Sequence, residues 1–157
     1  MPESATVHGN FTIERSYSAP PARVFAAFAD PEKKKSWFAS SDLHTMESFE
    51  SDFRVGGVER LVYRFGPNSP FPGAQLTNEG QYHDIVPNRR ISSASHMALE
   101  GRIFSAALVT IELVPTDTGT DVSCTFQGAF FEGADGPEMR RGGWETLLDR
   151  LGESLAA

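Results

Sequence analysis

The stretch that most constrains the fold is the last one, residues 135–155. Its large apolar side chains recur at the i, i+3, i+4, i+7 and i+11 spacing of one helix face: Trp144, Leu147, Leu148, Leu151 and Leu155. Asp135, followed three residues later by Glu138, resembles a capping box, and Pro137 suits a first helical turn. The stretch therefore predicts a long C-terminal helix with one buried face.

Two consecutive glycines, Gly142 and Gly143, precede Trp144 in this predicted helix. Each glycine costs a helix interior about 1 kcal/mol relative to alanine, so a structural reason is needed to offset that cost. Either the helix backbone approaches another element closely at this level, or the helix bends there. In both cases the first half of the helix lies over backbone or space, and we expect a cavity beside Trp144.

The chain before this helix alternates in a way that is typical of strands, apart from one early helical segment. Predicted helices cover residues 22–29 and 31–37, the second capped by Asp30. Predicted strands cover residues 11–17, 45–51, 58–65, 77–86, 89–97, 103–114 and 120–130. Residues 45–51 do not alternate strictly, which leaves a bulge or a shifted boundary open. Residues 66–75 are rich in proline and glycine and are predicted to form a loop.

The short turns between these strands require a mostly antiparallel sheet, and each apolar strand face needs a cover. The C-terminal helix supplies the one long apolar stripe available. We therefore predict an α+β helix-grip fold, a curved antiparallel sheet of about six or seven strands around that helix, with two short helices after the first strand. One domain is expected over residues 1–157, with residues 1–10 as a flexible N-terminus and residues 11–155 as the core.

Composition excludes several classes of partner and setting. A net charge of −7 and a pI near 5.0 argue against nucleic acid as a partner. A single cysteine, no signal segment and no long apolar run favour a cytoplasmic protein without membrane insertion. The basic run Lys33, Lys34 and Lys35 is interpreted as the solvated surface of a short helix.

The four histidines are candidate proton-transfer groups, because histidine titrates near neutral pH. His8 falls in the expected flexible N-terminus, His44 in a loop, and His83 on the strand face opposite Tyr82, which is predicted to point inward. His96 adjoins Met97 near a strand end, and one of these two neighbours should face the cavity. His96 and Tyr82 therefore remain as catalytic candidates.

Other kinds of chemistry find little support in the pattern of residues. No His, Cys, Asp or Glu residues recur at metal-ligand spacing, and no glycine-rich phosphate loop occurs, so neither a metal nor a cofactor is expected. Ser92, Ser93 and Ser95 lie near His96 in sequence but lack the G-x-S-x-G elbow of a hydrolase. Cys124 shares a strand face with apolar residues and is interpreted as a buried side chain.

The remaining signal is aromatic, because large rings line concave apolar sites as well as cores. The set predicted to bind a ligand is Trp37, Phe49, Tyr63, Phe65, Tyr82, Met97, Phe126, Phe130 and Trp144. The hydroxyls of Tyr63 and Tyr82 would then orient the ligand.

Four segments also resemble a known family when taken in order: residues 53–57 (FRVGG), 79–87 (EGQYHDIVP), 119–122 (GTDV) and 142–144 (GGW). They are similar to the bacterial single-domain members of the Hsp90-ATPase-activator-homologue (AHSA1-like) family. That family belongs to the START-like (SRPBCC) superfamily, which includes polyketide cyclases and plant pathogenesis-related lipid binders. The resemblance implies a cavity between sheet and terminal helix that holds an apolar small molecule. The proline-rich loop at residues 66–75 departs from the family pattern at the cavity entrance.

Three functions follow as hypotheses. The first is binding of an apolar or aromatic small molecule in this cavity, with residues 66–75 as a lid. The second is a cyclase or aromatase enzyme using the same cavity, which should show an ionisable group inside it without a structural partner. The third is an Hsp90-type interaction, which rests on the family name and is not expected without the separate N-terminal domain of the eukaryotic co-chaperone. A homodimer is left open.

Overall fold

The computed structural model describes residues 5–39 and 44–156. Strands and helices follow one another in the predicted order, with these bounds: β1 (Val7–Tyr17), α1 (Pro21–Ala29), α2 (Pro31–Phe38), β2 (His44–Ser51), β3 (Val58–Phe65), β4 (Gln75–Val86), β5 (Arg90–Leu99), β6 (Arg102–Pro115), β7 (Thr120–Phe130) and α3 (Pro137–Ala156).

All seven strands form one sheet in the order β1-β7-β6-β5-β4-β3-β2, and every neighbouring pair is antiparallel. From β2 to β7 the chain is a meander of hairpins, while β1 reaches the far edge and pairs with β7. The helices α1 and α2 make the connection from β1 to β2 at the opposite edge. The α+β helix-grip prediction is confirmed.

The second half of α3 holds the helix against the sheet. Leu148, Leu151 and Leu155 are buried in the same apolar core as the inward residues of the strands. Burying one leucine completely contributes about 1.5–3 kcal/mol to folding. The hydroxyl of Tyr17 on β1 donates a 2.7 Å hydrogen bond to the carbonyl oxygen of Leu148. Gly152 lies against the same tyrosine ring, so its lack of a side chain permits this approach.

The first helices meet at a sharp corner around Asp30. The carboxylate of Asp30 accepts a 3.0 Å hydrogen bond from the backbone N–H of Glu32, so it caps α2 as predicted. Trp37 on α2 packs edge-to-face on Phe28 of α1, and its indole N–H donates to the carbonyl oxygen of Ala27 at 3.0 Å. These contacts fix α2 against α1, and α2 also packs against α3.

Two boundaries at strand starts differ from the predictions. Strand β1 begins at Val7, which pairs with Phe130, so residues 7–10 and with them His8 belong to the sheet and not to a flexible N-terminus. His44 is the first residue of β2, opposite Phe65, and not a loop residue. In β2 the pairing shifts between Met46 and Ser48, which is the irregularity that the broken alternation left open.

At the start of α3, the close approach that was one of two alternatives for the glycines is wrong, and so is the cap by Asp135. An added Cβ at Gly142 or Gly143 would meet nothing within 4 Å, and both residues are exposed, so no element approaches the backbone there. Asp135 was expected at the cap position, but the helix begins one residue later. The carbonyl oxygen of Gly136 accepts the hydrogen bond of the first turn, at 3.1 Å from the N–H of Arg140. The carboxylate of Asp135 binds the Arg140 side chain instead.

Candidate functional site

A cleft lies between α2, the first half of α3 and the inward face of strands β3 to β6. The space in it that a water-sized molecule can enter is about 50 Å³. The residues that line it are Lys34 and Phe38 on α2, Glu59 on β3, Asn78, Gly80 and Tyr82 on β4, Ser93 and Ser95 on β5, Val109 on β6 and Trp144 on α3. This volume is well below the roughly 300–1,000 Å³ of typical ligand sites, so a ring-sized ligand would have to displace lining side chains as it enters.

Aromatic rings form the walls of this cleft. The ring centroids of Phe38 and Trp144 are 6.1 Å apart, so α2 and α3 meet across its mouth. Trp144 is only partly buried, which leaves part of the indole facing the open space. A deeper compartment of about 30 Å³ shares Trp144 and Tyr82 with the cleft. Its additional walls are Phe28, Trp37, Phe53, Ile91 and Ile111.

A buried ion pair crosses the cleft from α2 to β3. The ammonium group of Lys34 donates to both carboxylate oxygens of Glu59, at 2.7 and 2.8 Å. The two side chains are only 10% and 15% exposed. The Lys34 nitrogen also lies 4.5 Å from the centroid of the Phe38 ring, a cation–π contact. Removing either charge would leave the other buried without its partner, a situation that typically costs about 3–5 kcal/mol.

Tyr82 extends this pair into a hydrogen-bond network. Its hydroxyl donates to Oε1 of Glu59 at 2.7 Å and lies 3.1 Å from the hydroxyl of Ser51. Burial first, and then the negative charge of Glu59, raise the pKa of Tyr82 above its usual value. The phenol therefore stays neutral and acts as a donor near neutral pH.

The floor of the cleft carries neutral polar groups with free hydrogen-bonding capacity. Ser93 and Ser95 project from the same face of β5, and Asn78 projects from β4 beside them. No hydrogen bond within the described residues engages any of these three side chains. Residue 80 also leaves space at the floor, because it is a glycine. A side chain there would place its Cβ 3.1 Å from the Cβ of Ser95, and would crowd this part of the cleft.

In the first turn of α3, one turn before Trp144, an arginine fills an aromatic box. Arg140 binds the carboxylate of Asp135 through two nitrogens, both at 2.8 Å, and the hydroxyl of the buried Ser105 at 3.0 Å. Its guanidinium carbon lies 5.1 Å from the ring centroid of Phe130 and 5.6 Å from that of Phe126. This box is thus occupied by the chain itself, and it anchors the start of α3 to β6 and β7.

Comparison with known proteins agrees with this architecture. The model of the family described as Activator of Hsp90 ATPase homolog 1-like protein matches residues 18–156. The chain belongs to this family. No curated protein matches this AHSA1-like chain.

Solved structures similar to this AHSA1-like chain cover nearly its whole length. A protein from Rhizobium leguminosarum is 35% identical, covers 96% of both chains and has a TM-score of 0.89. A protein from Rhizobium loti is 41% identical, covers 95% of this chain and 98% of its own, and has a TM-score of 0.82. An AHSA1-like protein from Aeromonas hydrophila, 20% identical over 94% of this chain and 92% of its own, shares the fold with a TM-score of 0.71.

Some of the predicted ligand-binding residues line the cleft of this AHSA1-like protein. Tyr82 and Trp144 border both compartments, and Trp37 borders the deeper one. The other six line neither compartment: Phe49, Tyr63, Phe65, Met97, Phe126 and Phe130.

Four of these six residues pack on other parts of the molecule, while Phe49 packs beside the cleft residue Phe38 with 6.2 Å between ring centroids. Tyr63 stacks on His44 with 3.9 Å between ring centroids, and its hydroxyl donates to the carbonyl oxygen of Phe38. Its role in orienting a ligand is therefore not supported, because a backbone carbonyl already engages the hydroxyl. Phe65 packs beside the same histidine, and Phe126 and Phe130 hold Arg140.

The catalytic candidate His96 lies on the outer face of the sheet. It alternates with Ser95 and Met97 on β5, and its Nε2 is 3.5 Å from a carboxylate oxygen of Glu79 on the neighbouring strand. Met97 is the member of the pair that packs against the core. A direct role for His96 in the cleft is therefore ruled out by the alternation of the strand.

The loop expected to act as a lid contributes no residue to either compartment. It follows Phe65 at the end of β3, and its Gly73 carbonyl accepts a 2.7 Å hydrogen bond from Arg64. Glu59, the β3 residue of the cleft, is six residues away along an extended strand, a distance of roughly 20 Å.

The sequence interpretation missed the polar half of the cleft, although signals for it were present. Lys34 was interpreted as part of a solvated run, but it precedes Trp37 and Phe38 by three and four residues, so it shares their helix face. Glu59 is two residues before the inward-facing Leu61, so it lies on the same face of β3. In the same way, Ser93 and Ser95 lie on the same face of β5 as Met97. What could not be read from the sequence is that these residues meet.

In residues 5–39 and 44–156, no three His, Cys, Asp or Glu side chains come together in a way that could hold a metal ion. Over the same ranges, no helix combines the length and apolar character needed to cross a membrane.

Proposed function

We propose that the protein binds a small molecule in the cleft between α2, α3 and the sheet. The single observation that carries this proposal is an open cleft with aromatic walls and a floor of unpaired polar groups. The rings of Phe38, Tyr82 and Trp144 would pack against an apolar or aromatic body. Ser93, Ser95 and Asn78 would then supply the few hydrogen bonds that fix its orientation.

The cyclase or aromatase alternative is less well supported by the same cleft. Such an enzyme needs a general acid or base in reach of its substrate and free to exchange a proton. The two charged groups that line the described cleft, Lys34 and Glu59, are bonded to each other, and Tyr82 donates to the same carboxylate. Each of these groups already has a partner within the protein, which favours binding over catalysis. The Hsp90-type interaction has the family name as its only support.

Native mass spectrometry of freshly purified protein, looking for a co-purified small molecule, is the first test of this proposal. A quantitative test uses 2-naphthol, a neutral two-ring probe, titrated by isothermal calorimetry. We expect Trp144→Ala to weaken 2-naphthol binding by at least about tenfold, or 1.4 kcal/mol, because an aromatic wall is lost. The same change should lower the free energy of unfolding by about 1–3 kcal/mol, less than for a fully buried tryptophan.

His96→Gln is the matched control, because it alters a polar residue of the same sheet on the outer face. We expect it to change the 2-naphthol affinity by less than about threefold, under 0.7 kcal/mol. Wild-type affinity in folded Trp144→Ala protein would refute the cleft as the binding site. A large loss of affinity in His96→Gln would have the same meaning.

A further inference from the structure

We infer that the Lys34–Glu59 ion pair makes the cleft selective for uncharged ligands that carry hydroxyl, carbonyl or amide groups. This inference rests on the proposed function and specifies the chemical class of the ligand. It depends on the charge balance of the cleft, on the hydrogen bonds that already engage the two charged groups, and on the neutral groups that remain free.

The charges that line the cleft cancel within the cleft itself. Among the described lining residues, Lys34 and Glu59 are the charged ones, and their 2.7 Å contact brings one positive and one negative group together. With side chains only 10% and 15% exposed, both are largely removed from water. A charged ligand entering this space would give up its hydration and find no net opposite charge, which is unfavourable.

The two groups are also engaged by their own neighbours. Oε1 of Glu59 accepts hydrogen bonds from both Lys34 and Tyr82, and Oε2 accepts a second one from Lys34. The Lys34 ammonium lies 4.5 Å from the Phe38 ring centroid and 5.9 Å from that of Tyr82, so aromatic faces cover part of its remaining surface. A carboxylate ligand would have to compete with Glu59 for Lys34, and an ammonium ligand would have to compete with Lys34 for Glu59.

The hydrogen-bonding groups that remain are neutral. Ser93 and Ser95 each offer a hydroxyl that can donate or accept, and Asn78 offers an amide with both functions. Such groups match hydroxyl, carbonyl and amide groups of a ligand without requiring a charge. The cleft therefore combines aromatic walls, a neutral floor and an internally compensated ion pair.

The inference is tested with three probes that share one ring system, measured by isothermal calorimetry at pH 7. The probes are 2-naphthol, which is neutral, 2-naphthoate, which is an anion, and 2-naphthylmethylammonium, which is a cation. We expect wild-type protein to bind 2-naphthol at least about tenfold more tightly than either ion, a difference of 1.4 kcal/mol. Equal or tighter binding of an ion by the wild type would overturn the inference.

Variants of the ion pair provide the decisive comparison. Glu59→Gln keeps the side-chain shape and leaves Lys34 unpaired, so the naphthoate-to-naphthol affinity ratio should rise at least about tenfold. Lys34→Met leaves Glu59 unpaired and should raise the ammonium-to-naphthol ratio in the same way. The double variant removes both charges, and its preference should return to that of the wild type.

Circular dichroism establishes that each variant is folded before it is titrated. The two single variants test the same idea with opposite charges, so one folded single variant is sufficient. Unchanged affinity ratios in a folded single variant would overturn the charge rule while leaving the binding function intact. If the wild type binds none of the three probes, both the binding function and the charge rule are contradicted.

Discussion

Burial determines the chemistry of individual residues in this protein, and Cys124 is a clear case. The single cysteine of the chain lies on the inward face of β7 with its side chain fully buried. Burial raises the pKa of its thiol to about 12, because the thiolate would be poorly solvated in the core. The thiol is thereby protected by the fold, and it lies outside the cleft.

This protection gives a prediction at the residue scale. Since the thiolate is the reactive form, its fraction near pH 8 should fall on the order of a thousandfold when the pKa rises from 9 to about 12. We expect Cys124 in native protein to react with Ellman's reagent at least about a hundredfold more slowly than in guanidinium-unfolded protein, with burial adding to the effect. Similar rates in the two states would show that the inward face of β7 is accessible.

Residue identity also explains which parts of the site were predictable. Tyr82 and Trp144 were assigned to the site because aromatic residues on an apolar face are visible in the sequence. Lys34 was not, because a lysine in a basic run is usually solvated, and its partner Glu59 lies 25 residues further along the chain. The contact between them depends on how α2 packs over β3, and single-sequence periodicity carries no information about that packing.

Helices and strands were predicted more successfully than the site, because their signals are local. In β3 and β7, apolar and polar residues alternate, and turn residues mark both ends of each strand. The helix α3 is indicated by its stripe of leucines. The least accurate boundary is the start of β1, four residues earlier than expected. Residues 7–10 carry a weak apolar signal, and their pairing with β7 determines their structure.

The two glycines of α3 lead to a prediction at this scale. Both lie in the middle of a continuous helix, and an added Cβ would meet nothing within 4 Å. We therefore expect Gly142→Ala and Gly143→Ala each to raise the free energy of unfolding by about 0.5–1 kcal/mol, since alanine reduces the backbone entropy lost on folding. Chemical denaturation monitored by circular dichroism measures the change.

A glycine in a crowded position serves as the control for this prediction. A Cβ at Gly119, in the turn before β7, would clash with the carbonyl oxygen of Tyr17, so Gly119→Ala should destabilise the protein. Destabilisation by Gly142→Ala or Gly143→Ala as well would mean that another part of the molecule packs against that face of α3.

At the scale of the whole molecule, the ends of α3 have different surroundings. Its last turns fill the core with leucines, and Arg140 anchors its first turns through the box formed with Phe126 and Phe130. Between these anchors Trp144 faces α2 across the cleft. Space beside Trp144 was expected from the sequence, where it was attributed to the two glycines that precede Trp144. The opening results from small and polar residues on the sheet floor, and the glycines of α3 face solvent.

The central claim is that a ligand occupies this space between Trp144, the ion pair and the serine floor. A titration of ¹⁵N-labelled protein with 2-naphthol, followed by two-dimensional NMR, tests it directly. We predict that the largest shift changes will fall on the Trp144 indole N–H, the Asn78 side-chain amide and the backbone amides of Ser93 and Ser95, with His96→Gln protein giving the same pattern. Shift changes concentrated on the outer face of the sheet or around Arg140, with the cleft signals unmoved, would contradict the account.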